Sequence, residues 1–331
     1  MINYTELQEF KNQLLSMQRQ IDEMLKSEAL FSKDRKDEQQ EKVAVYSVTS
    51  DKFYFLRASI KSLLFNSDVD KIIVISDADE LPKDFPKDIE LVTIKKPPKY
   101  MHFDGPNSNS EFKLYCLLRV AFHKIFPQYN KILSLDYDTI VRRGISELWD
   151  IQLGDDYYVA GVNEPDRTRG SVYGYYPKRD FKAMSNVMFK HVTYINAGVM
   201  LMNLKKLRDD GVGDKMIDML NEGEYALPEQ DVINSACHRN IYLLNPDYNS
   251  CNLTRQTVNP KIVHYARMEK KLDYEDAVPF RDMTWDRVKE HREINYGKTL
   301  VMSGVKEENN IFEKTTTMAR EMSTDALSWL G

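Results

Sequence analysis

Short β-branched runs that alternate with helical patterns are the feature of this sequence that most constrains its fold. Four such runs are VAVYSVT from Val43, KIIVIS from Lys71, IELVTI from Ile89 and KILSLD from Lys131. Helical patterns occupy 52–66 and 111–126. Strands that alternate with helices predict βαβ units and an α/β fold with a mostly parallel sheet. Ligands of such sheets bind beyond the carboxyl ends of the strands, so we expect the functional residues there.

Four later segments are also predicted to be strands. They are YYVAGV from Tyr157, YINAGVMLMN from Tyr194, IYLL from Ile241 and KIVHY from Lys261. Before the second of them lies the stretch 163–186, which is dense in Tyr, Arg, Gly and Pro. Long loops in compact domains are often functional, so we interpret this stretch as a lid.

Size and charge exclude several classes of protein. The chain has 331 residues, enough for one large or two ordinary domains. With 46 Lys and Arg against 51 Asp and Glu, it lacks the basic field that binding to a nucleic-acid backbone requires. The three cysteines show no CxxC spacing, and we find neither a signal peptide nor an apolar run of about 18 residues. We therefore expect a cytoplasmic protein with no nucleic-acid partner.

The two ends of the chain differ in composition from its centre. We divide the sequence into an amphipathic helix at 1–31, a charged linker at 32–42, a main domain at 43–270 and a C-terminal extension at 271–331. Apolar residues in the first segment follow coiled-coil spacing at Leu7, Phe10, Leu14, Met17, Ile21 and Met24. This helix is predicted either to dock on its own domain or to form a homo-oligomer.

Two carboxylates follow the apolar run KILSL. Asp136 and Asp138 flank Tyr137, and carboxylate pairs of this kind suit Mg²⁺ or Mn²⁺ together with a diphosphate ligand. A pair of aspartates that caps a turn is the structural alternative. Another is the DxDx[TV] motif of haloacid-dehalogenase-like phosphatases, but here Ile140 stands at the last position.

Four ordered blocks place the two aspartates in a third context. They are KILSLDYDTIVRRGISELWDIQLGDD, YINAGVMLMNLKKLR, LPEQDVIN and KIVHY. Together they resemble the signature blocks of glycosyltransferase family 8, the group of glycogenin and the lipopolysaccharide galactosyltransferases and glucosyltransferases, over about 43–270. The resemblance implies a Rossmann-like nucleotide-binding domain of the GT-A type with a mixed, mostly parallel central sheet. It also implies a UDP-sugar donor, Mn²⁺ and retention of anomeric configuration.

The resemblance also assigns site residues. Metal ligands would be Asp136, Asp138 and His264. The uracil and ribose would be held by Val48, Thr49, Ser50, Asp51 and Tyr54, with Tyr137 and Asp138 near the ribose. The sugar and phosphates would be contacted by Arg119 or its rival Lys113, by Asn196, Ala197 and Gly198, by Glu164 or Asp166, and by Lys270. After His264 the chain lacks the Gly and the Pro-Trp pair of the family, so we expect Arg267 to take over phosphate binding there.

The block LPEQDVIN departs from the family at one position. The family typically has Asp-Gln-Asp, whereas this chain has Glu229 followed by Gln230 and Asp231. The extra methylene of Glu229 would shift the contacts that distinguish glucose from galactose. Gln230 would lie on the β-face of the anomeric carbon. Because an amide is a poor nucleophile, we favour front-side substitution with the UDP phosphate accepting the acceptor's proton. Covalent catalysis is the alternative mechanism.

The resemblance therefore predicts a retaining hexosyltransferase that uses UDP-glucose or UDP-galactose with Mn²⁺, Mg²⁺ being the alternative cation. Its acceptor is an unidentified glycan, protein or lipid-linked molecule, and self-glycosylation is one version of this reaction. Two other classes stay open from the sequence: the phosphatase, and a nonenzymatic protein for UDP binding or assembly.

Overall fold

The structure is a computed structural model, which describes residues 41–102, 104–107, 114–164, 193–251, 257–266, 273 and 275–302. Several predictions lie outside these residues. They concern the N-terminal helix, nearly all of the linker, most of the lid, the end of the C-terminal extension, and the residues Lys113, Asp166, Arg267 and Lys270. The domain boundaries likewise stay predictions.

The strands are close to those predicted. They are β1 (Val43–Ser47), β2 (Lys71–Ser76), β3 (Glu90–Thr93), β4 (Lys131–Leu135), β5 (Thr139–Val141), β6 (Val159–Asn163), β7 (Ile195–Asn203), β8 (Ile241–Leu243), β9 (Ser250–Cys251) and β10 (Ile262–His264). Two of these, β5 and β9, have only three and two residues and were not predicted. Neither lies in a run like those from which β8 and β10, which are also three residues long, were predicted.

The helices lie between and after the strands. They are α1 (Phe53–Asn66), α2 (Leu114–Leu117), α3 (Phe122–Ile125), α4 (Leu204–Asp209), α5 (Val212–Glu222), α6 (Pro228–Cys237), α7 (Val278–Asp282) and α8 (Trp285–Tyr296). The prediction of α1 is confirmed. The described part of the helical pattern at 111–126 is helical as well, but it consists of α2, a 3-10 turn at Leu118–Ala121 and α3. Among the described residues, no helix is both long and apolar enough to cross a lipid bilayer.

The main sheet has the order β3-β2-β1-β4-β7-β6-β8. Strands β3, β2, β1 and β4 are parallel, and β6 is parallel to β8. Only β7 runs antiparallel to its neighbours β4 and β6. The predicted α/β fold with a mixed, mostly parallel central sheet is confirmed. A second sheet of order β5-β10-β9 lies beyond the end of β4.

Apolar side chains cover both faces of the main sheet. In β1, Ala44 and Tyr46 pack with α1 and Trp285 on one face, while Val43 and Val45 pack with the α2–α6 side on the other. This explains why β1 is a continuous apolar run instead of an alternating one. Helix α8, which belongs to the predicted C-terminal extension, begins at the buried Trp285 and also packs against α1.

Candidate active site

The DxD motif lies where β4 ends, beside the middle of β7. The backbone N–H of Asp136 donates to the carbonyl of Gly198 at 2.8 Å. That bond continues the antiparallel pairing of Leu135 with Val199 by one step. Two blocks that are well separated in sequence, KILSLDYD and YINAGV, therefore meet at one strand end, as the strand-end argument predicts.

His264 reaches the same place from the second sheet. Its strand β10 pairs with β5, and the N–H of Tyr265 donates to the carbonyl of Asp138 at 2.9 Å. The ring atom Nε2 of His264 lies 3.4 Å from Oδ2 of Asp136 and 3.3 Å from Oδ1 of Asp138. The short strand β5, directly after the DxD motif, thus provides the pairing that brings His264 to it.

The three side chains fit a divalent cation. One ligand atom from each of Asp136, Asp138 and His264 can be chosen so that all lie within 4.8 Å of one another. Adjacent ligands of an octahedral ion are about 3 Å apart, because metal–oxygen bonds are about 2.1 Å. Two hard oxygens with one imidazole suit Mn²⁺ and, less well, Mg²⁺. The fold therefore brings the predicted ligands together. The three side chains of Asp136, Asp138 and His264 are called the metal cluster below.

Arg119 lies behind the cluster and is 2% exposed. Its guanidinium forms an ion pair with Asp136, and its Nη1 is 3.7 Å from Oε1 of Glu229. Burial would raise the pKa of Asp136, but Arg119 and His264 outweigh it and hold that pKa well below its usual value. Asp136 is therefore an ionised carboxylate. Arg119 also links the metal cluster to Glu229, one of the residues expected at the sugar.

The pKa of His264 is also set by burial acting against neighbouring charges. Burial would lower the pKa of the imidazole, but Asp138 and Asp136 more than offset this and raise it to about 10 without a cation.

Glu229 differs from these residues, because burial is the dominant effect and raises the pKa of its carboxyl group, while Arg119 acts to lower it. The Oε2 atom of Glu229 and the Nε of Arg119 are buried and have no hydrogen-bond partner among the described residues.

Amide and carboxylate side chains form a connected network beside the metal cluster. Asn196 donates from Nδ2 to Oε2 of Glu164 at 3.0 Å, and Gln230 donates from Nε2 to the same oxygen at 3.3 Å. The Oε1 atom of Gln230 accepts the backbone N–H of Ala197 at 2.9 Å. Asn196, Ala197, Glu164 and Gln230 are thus brought together as predicted, and each amide is held at both ends.

Helix α6 is attached to β7 by buried polar contacts. Asp231 accepts the hydroxyl of Tyr194 at 2.5 Å and the N–H of Leu227 at 2.9 Å. Asn234 accepts the N–H of Ile195 at 2.7 Å and donates to the carbonyl of the same residue at 2.8 Å. These contacts of Asp231 hold the start of α6, and any contact with a substrate stays a prediction.

Gly198 allows the histidine ring to lie against β7. A Cβ atom at this position would stand 2.6 Å from Nδ1 of His264 and 3.0 Å from Oδ1 of Asn196. No real side chain tolerates such contacts, so the absence of a side chain makes room for the imidazole. The predicted importance of Gly198 therefore has a steric cause in the free protein.

The predicted uracil and ribose residues follow β1. Val48 is buried, so only its backbone faces this region, while Tyr54 is 56% exposed on the first turn of α1. Ser50 donates from its N–H to Oδ1 of Asp77 at 2.7 Å, and Thr49 hydrogen-bonds Asp51. Asp77, which follows β2, was missed by the sequence reasoning although it occupies a strand end.

Further members of the site were also missed. Asn249 lies between His264 and Asn196, and Tyr194 lies between Gln230 and Asp231. Tyr194 adjoins a recognised block, so its position was a usable signal. Asn249 adjoins β9, and that strand is too short to be recognised from sequence.

Comparison with known proteins shows the family. The model of glycosyl transferase family 8 matches residues 2–271. General stress protein A of Bacillus subtilis is 24% identical over 254 residues, covering 67% of this chain and 84% of that protein. A Haemophilus influenzae protein whose name describes a glycosyltransferase is 22% identical over 165 residues, covering 49% of this chain and 47% of that protein. The match thus spans less than half of that second relative.

Solved structures show the fold. Galactosyltransferase LgtC, in complex with donor and acceptor sugar analogs, matches with a TM-score of 0.54 and 18% identity, covering 80% of this chain and 98% of that one. The bifunctional glycosyltransferase WbbM matches with a TM-score of 0.56 and 15% identity, covering 77% of this chain and 52% of that one. At these identities the likeness establishes the GT-A type fold alone. Because the family match covers well over half of the sequence, the chain belongs to glycosyl transferase family 8, as its ordered blocks predicted.

Proposed function

We propose that this protein transfers a hexose from UDP-glucose or UDP-galactose to an unidentified acceptor, with retention of configuration and with Mn²⁺ as its preferred cation. The observation that carries the proposal is the position of Arg119. It contacts Asp136 of the metal cluster and also Glu229, so the candidate metal site and the candidate sugar site adjoin. A diphosphate held by a cation and a sugar attached to it need two adjoining sites of this kind.

The metal cluster supports binding of the diphosphate. Asp136 and Asp138 would offer carboxylate oxygens and His264 its Nε2. When bound, a divalent cation neutralises the charge that develops on the departing nucleotide. The buried Arg119 keeps Asp136 ionised, and β5 and β10 hold Asp138 and His264 at a fixed separation.

The amide network supports recognition of the donor sugar. Asn196 and Gln230 both donate to Oε2 of Glu164, and this group of amides and carboxylate would form the surface that the sugar hydroxyls contact. Glu229 carries a buried oxygen without a partner among the described residues. Such an atom is costly to leave unsatisfied, so a donor hydroxyl is the ligand that would satisfy it.

The hydrogen bonds of the Gln230 side chain support front-side substitution. Its Oε1 accepts from Ala197, and its Nε2 faces both Glu164 and Tyr194. A held amide is a poor nucleophile but can stabilise positive charge at a nearby anomeric centre through its oxygen dipole. One solved variant of LgtC, in which a glutamine is changed to glutamate, is described as an active-site mutant. By analogy, we assign Gln230 to the reacting centre and keep covalent catalysis as the alternative.

Several assignments extend this proposal. Val48, Thr49, Ser50, Asp51 and Tyr54 would bind the nucleoside together with Tyr137, and Arg267 and Lys270 would reach the diphosphate. A cytoplasmic location and oligomerisation through residues 1–31 also stay predictions. The phosphatase alternative is not favoured, because Asp136 is shared between Arg119 and His264 instead of standing free as a nucleophile.

The stereochemistry provides the test. The purified protein is incubated with UDP-α-glucose or UDP-α-galactose and Mn²⁺, and the first sugar released by water is observed by proton NMR before it mutarotates. The proposal predicts the α-anomer. Initial release of the β-anomer would contradict the retaining mechanism. Hydrolysis of p-nitrophenyl phosphate, with no cleavage of either UDP-sugar, would support the phosphatase instead.

A further inference from the structure

One backbone N–H group fixes the direction of the hydrogen bonds that run from Asn196 through Asn249 to His264. Amide oxygen and nitrogen atoms are usually assigned from their surroundings, so an unambiguous donor at one end is decisive. The N–H of Gly198 donates to the side chain of Asn196 at 2.9 Å. A backbone N–H can only donate, so the atom of Asn196 that it meets must be Oδ1.

The next link is Asn249, which is 3% exposed and lies between Asn196 and His264. Its side chain contacts Oδ1 of Asn196 at 2.9 Å. Because that oxygen can only accept, the atom of Asn249 facing it must be the NH₂ group. The other atom of Asn249, its Oδ1, then faces Nδ1 of His264 at 3.1 Å.

This chain of bonds specifies the tautomer of His264. An amide oxygen opposite Nδ1 requires that Nδ1 carry a hydrogen. The nitrogen available as a metal ligand is then Nε2, the same atom that faces Asp136 and Asp138. Histidine ligands of metals are commonly oriented by a hydrogen bond from their second ring nitrogen.

The same chain continues to the predicted sugar site. With Oδ1 of Asn196 occupied by Gly198 and Asn249, the NH₂ of Asn196 must face Glu164, which also accepts from Gln230. One asparagine therefore has a separate task at each end of its side chain. Its oxygen orients His264 through Asn249, and its nitrogen contacts Glu164, which belongs to the predicted sugar site.

We propose that Asn249 is a positioning residue that selects the metal-binding tautomer of His264 and locks Asn196 in the orientation required by the sugar network. The inference rests on the proposed function, because it takes the cluster of Asp136, Asp138 and His264 to be a cation site. It goes beyond that function by giving Asn249 two separable roles: one substitution removes both of them, and another removes only the role towards Asn196.

Two substitutions separate the roles. Asn249→Leu is similar in size and removes both hydrogen bonds. Asn249→Asp keeps an oxygen towards His264 but sets a second oxygen against Oδ1 of Asn196. Asn107→Leu is the matched control, because Asn107 is also buried and bonded to Leu220, Gly223 and Tyr225, away from the metal cluster.

The experiment measures Mn²⁺ affinity in the presence of UDP by electron paramagnetic resonance of the free ion, together with donor turnover and thermal midpoint. For Asn249→Leu we expect an affinity about 10- to 100-fold weaker, the usual cost of losing such a partner. Asn249→Asp should keep an affinity close to wild type while turnover falls at least about tenfold. Asn107→Leu should lower the thermal midpoint without changing Mn²⁺ affinity.

Nitrogen-15 NMR of the imidazoles gives a readout independent of activity and of the Leu variant's folding. In the complex with UDP and Mg²⁺, the His264 signal, assigned by its loss in His264→Gln, should be that of the Nδ1–H tautomer. An Nε2–H tautomer would overturn the inference. Wild-type Mn²⁺ affinity in Asn249→Leu would overturn it while leaving the proposed function intact. A wild-type protein that binds no Mn²⁺ would instead remove the proposed function and the inference together.

Discussion

Nε2 of His264 lies 3.3 Å from Oδ1 of Asp138, although the two residues are far apart in the sequence: His264 ends β10, whereas Asp138 lies between β4 and β5. The three-residue strand β5 makes this approach, because its first residue Thr139 pairs with His264 directly after Asp138. The approach of these candidate metal ligands is thus a consequence of strand register.

Replacing Asp138 by Asn should abolish metal-dependent binding of UDP. The substitution conserves shape but removes the charge that a divalent cation requires. Loss of an outer partner of a metal ligand costs about 10- to 100-fold in affinity, so loss of a ligand should cost at least as much. Calorimetric titration of UDP with and without Mn²⁺ measures the effect, and Asp214→Asn, an acid exposed in its ion pair with Lys124, is the control. Unchanged binding in Asp138→Asn would contradict the ligand assignment.

Substitution of Gln230 by Ala should impair transfer much more than nucleotide affinity. Gln230 contacts the sugar network and not the metal ligands, so UDP with Mn²⁺ should still bind. Removing a preorganised dipole from a reacting centre typically lowers kcat by about 100- to 1,000-fold. Steady-state turnover and the UDP dissociation constant are compared. An equal loss in both would indicate that Gln230 is structural.

Shortening Glu229 to Asp should change the choice between UDP-glucose and UDP-galactose. The carboxylate would retreat from Arg119 and from any sugar hydroxyl by one methylene. Misplaced contacts of this size change discrimination by about 10- to 200-fold. The ratio of kcat/KM for the two donors is the measurement. If the ratio stays constant while both values fall together, Glu229 acts only through Arg119.

A methyl group at Gly198 should displace the ring of His264. The added Cβ of Gly198→Ala would lie 2.6 Å from Nδ1, and overpacking of this kind costs about 1–3 kcal/mol. We expect a lower free energy of unfolding in urea and weaker Mn²⁺ binding. Gly144→Ala is the matched control, because a Cβ there meets nothing within 4 Å. Wild-type Mn²⁺ affinity in Gly198→Ala would show that the ring tolerates displacement.

The sequence predicted those features that depend on periodicity or on family motifs. Asp136 and Asp138 follow an apolar run that could only be a buried strand, and His264 ends another. Family motifs located Asn196 and Gln230, although neither has a chemical signature of its own. These residues meet because the end of β4 lies beside β7, β10 pairs with β5 directly after Asp138, and α6 packs against β7.

The rest depended on contacts that no local pattern encodes. Asn249 contacts a histidine that is distant in sequence, and Arg119 lies buried in a 3-10 turn that no local pattern revealed. Asp77 contacts Ser50 only because β1 and β2 are neighbours. Such residues become visible when strand order and register are known.

Release of UDP tests the central claim most directly. UDP-glucose and UDP-galactose are each incubated with the wild-type protein and with Asp138→Asn, in Mn²⁺ or in EDTA, and UDP is quantified over time. The account predicts that the wild-type protein with Mn²⁺ cleaves one of the two donors, and that EDTA or the substitution stops the cleavage. Release of UDP that is equally fast in EDTA and in the Asp138→Asn variant would contradict the account.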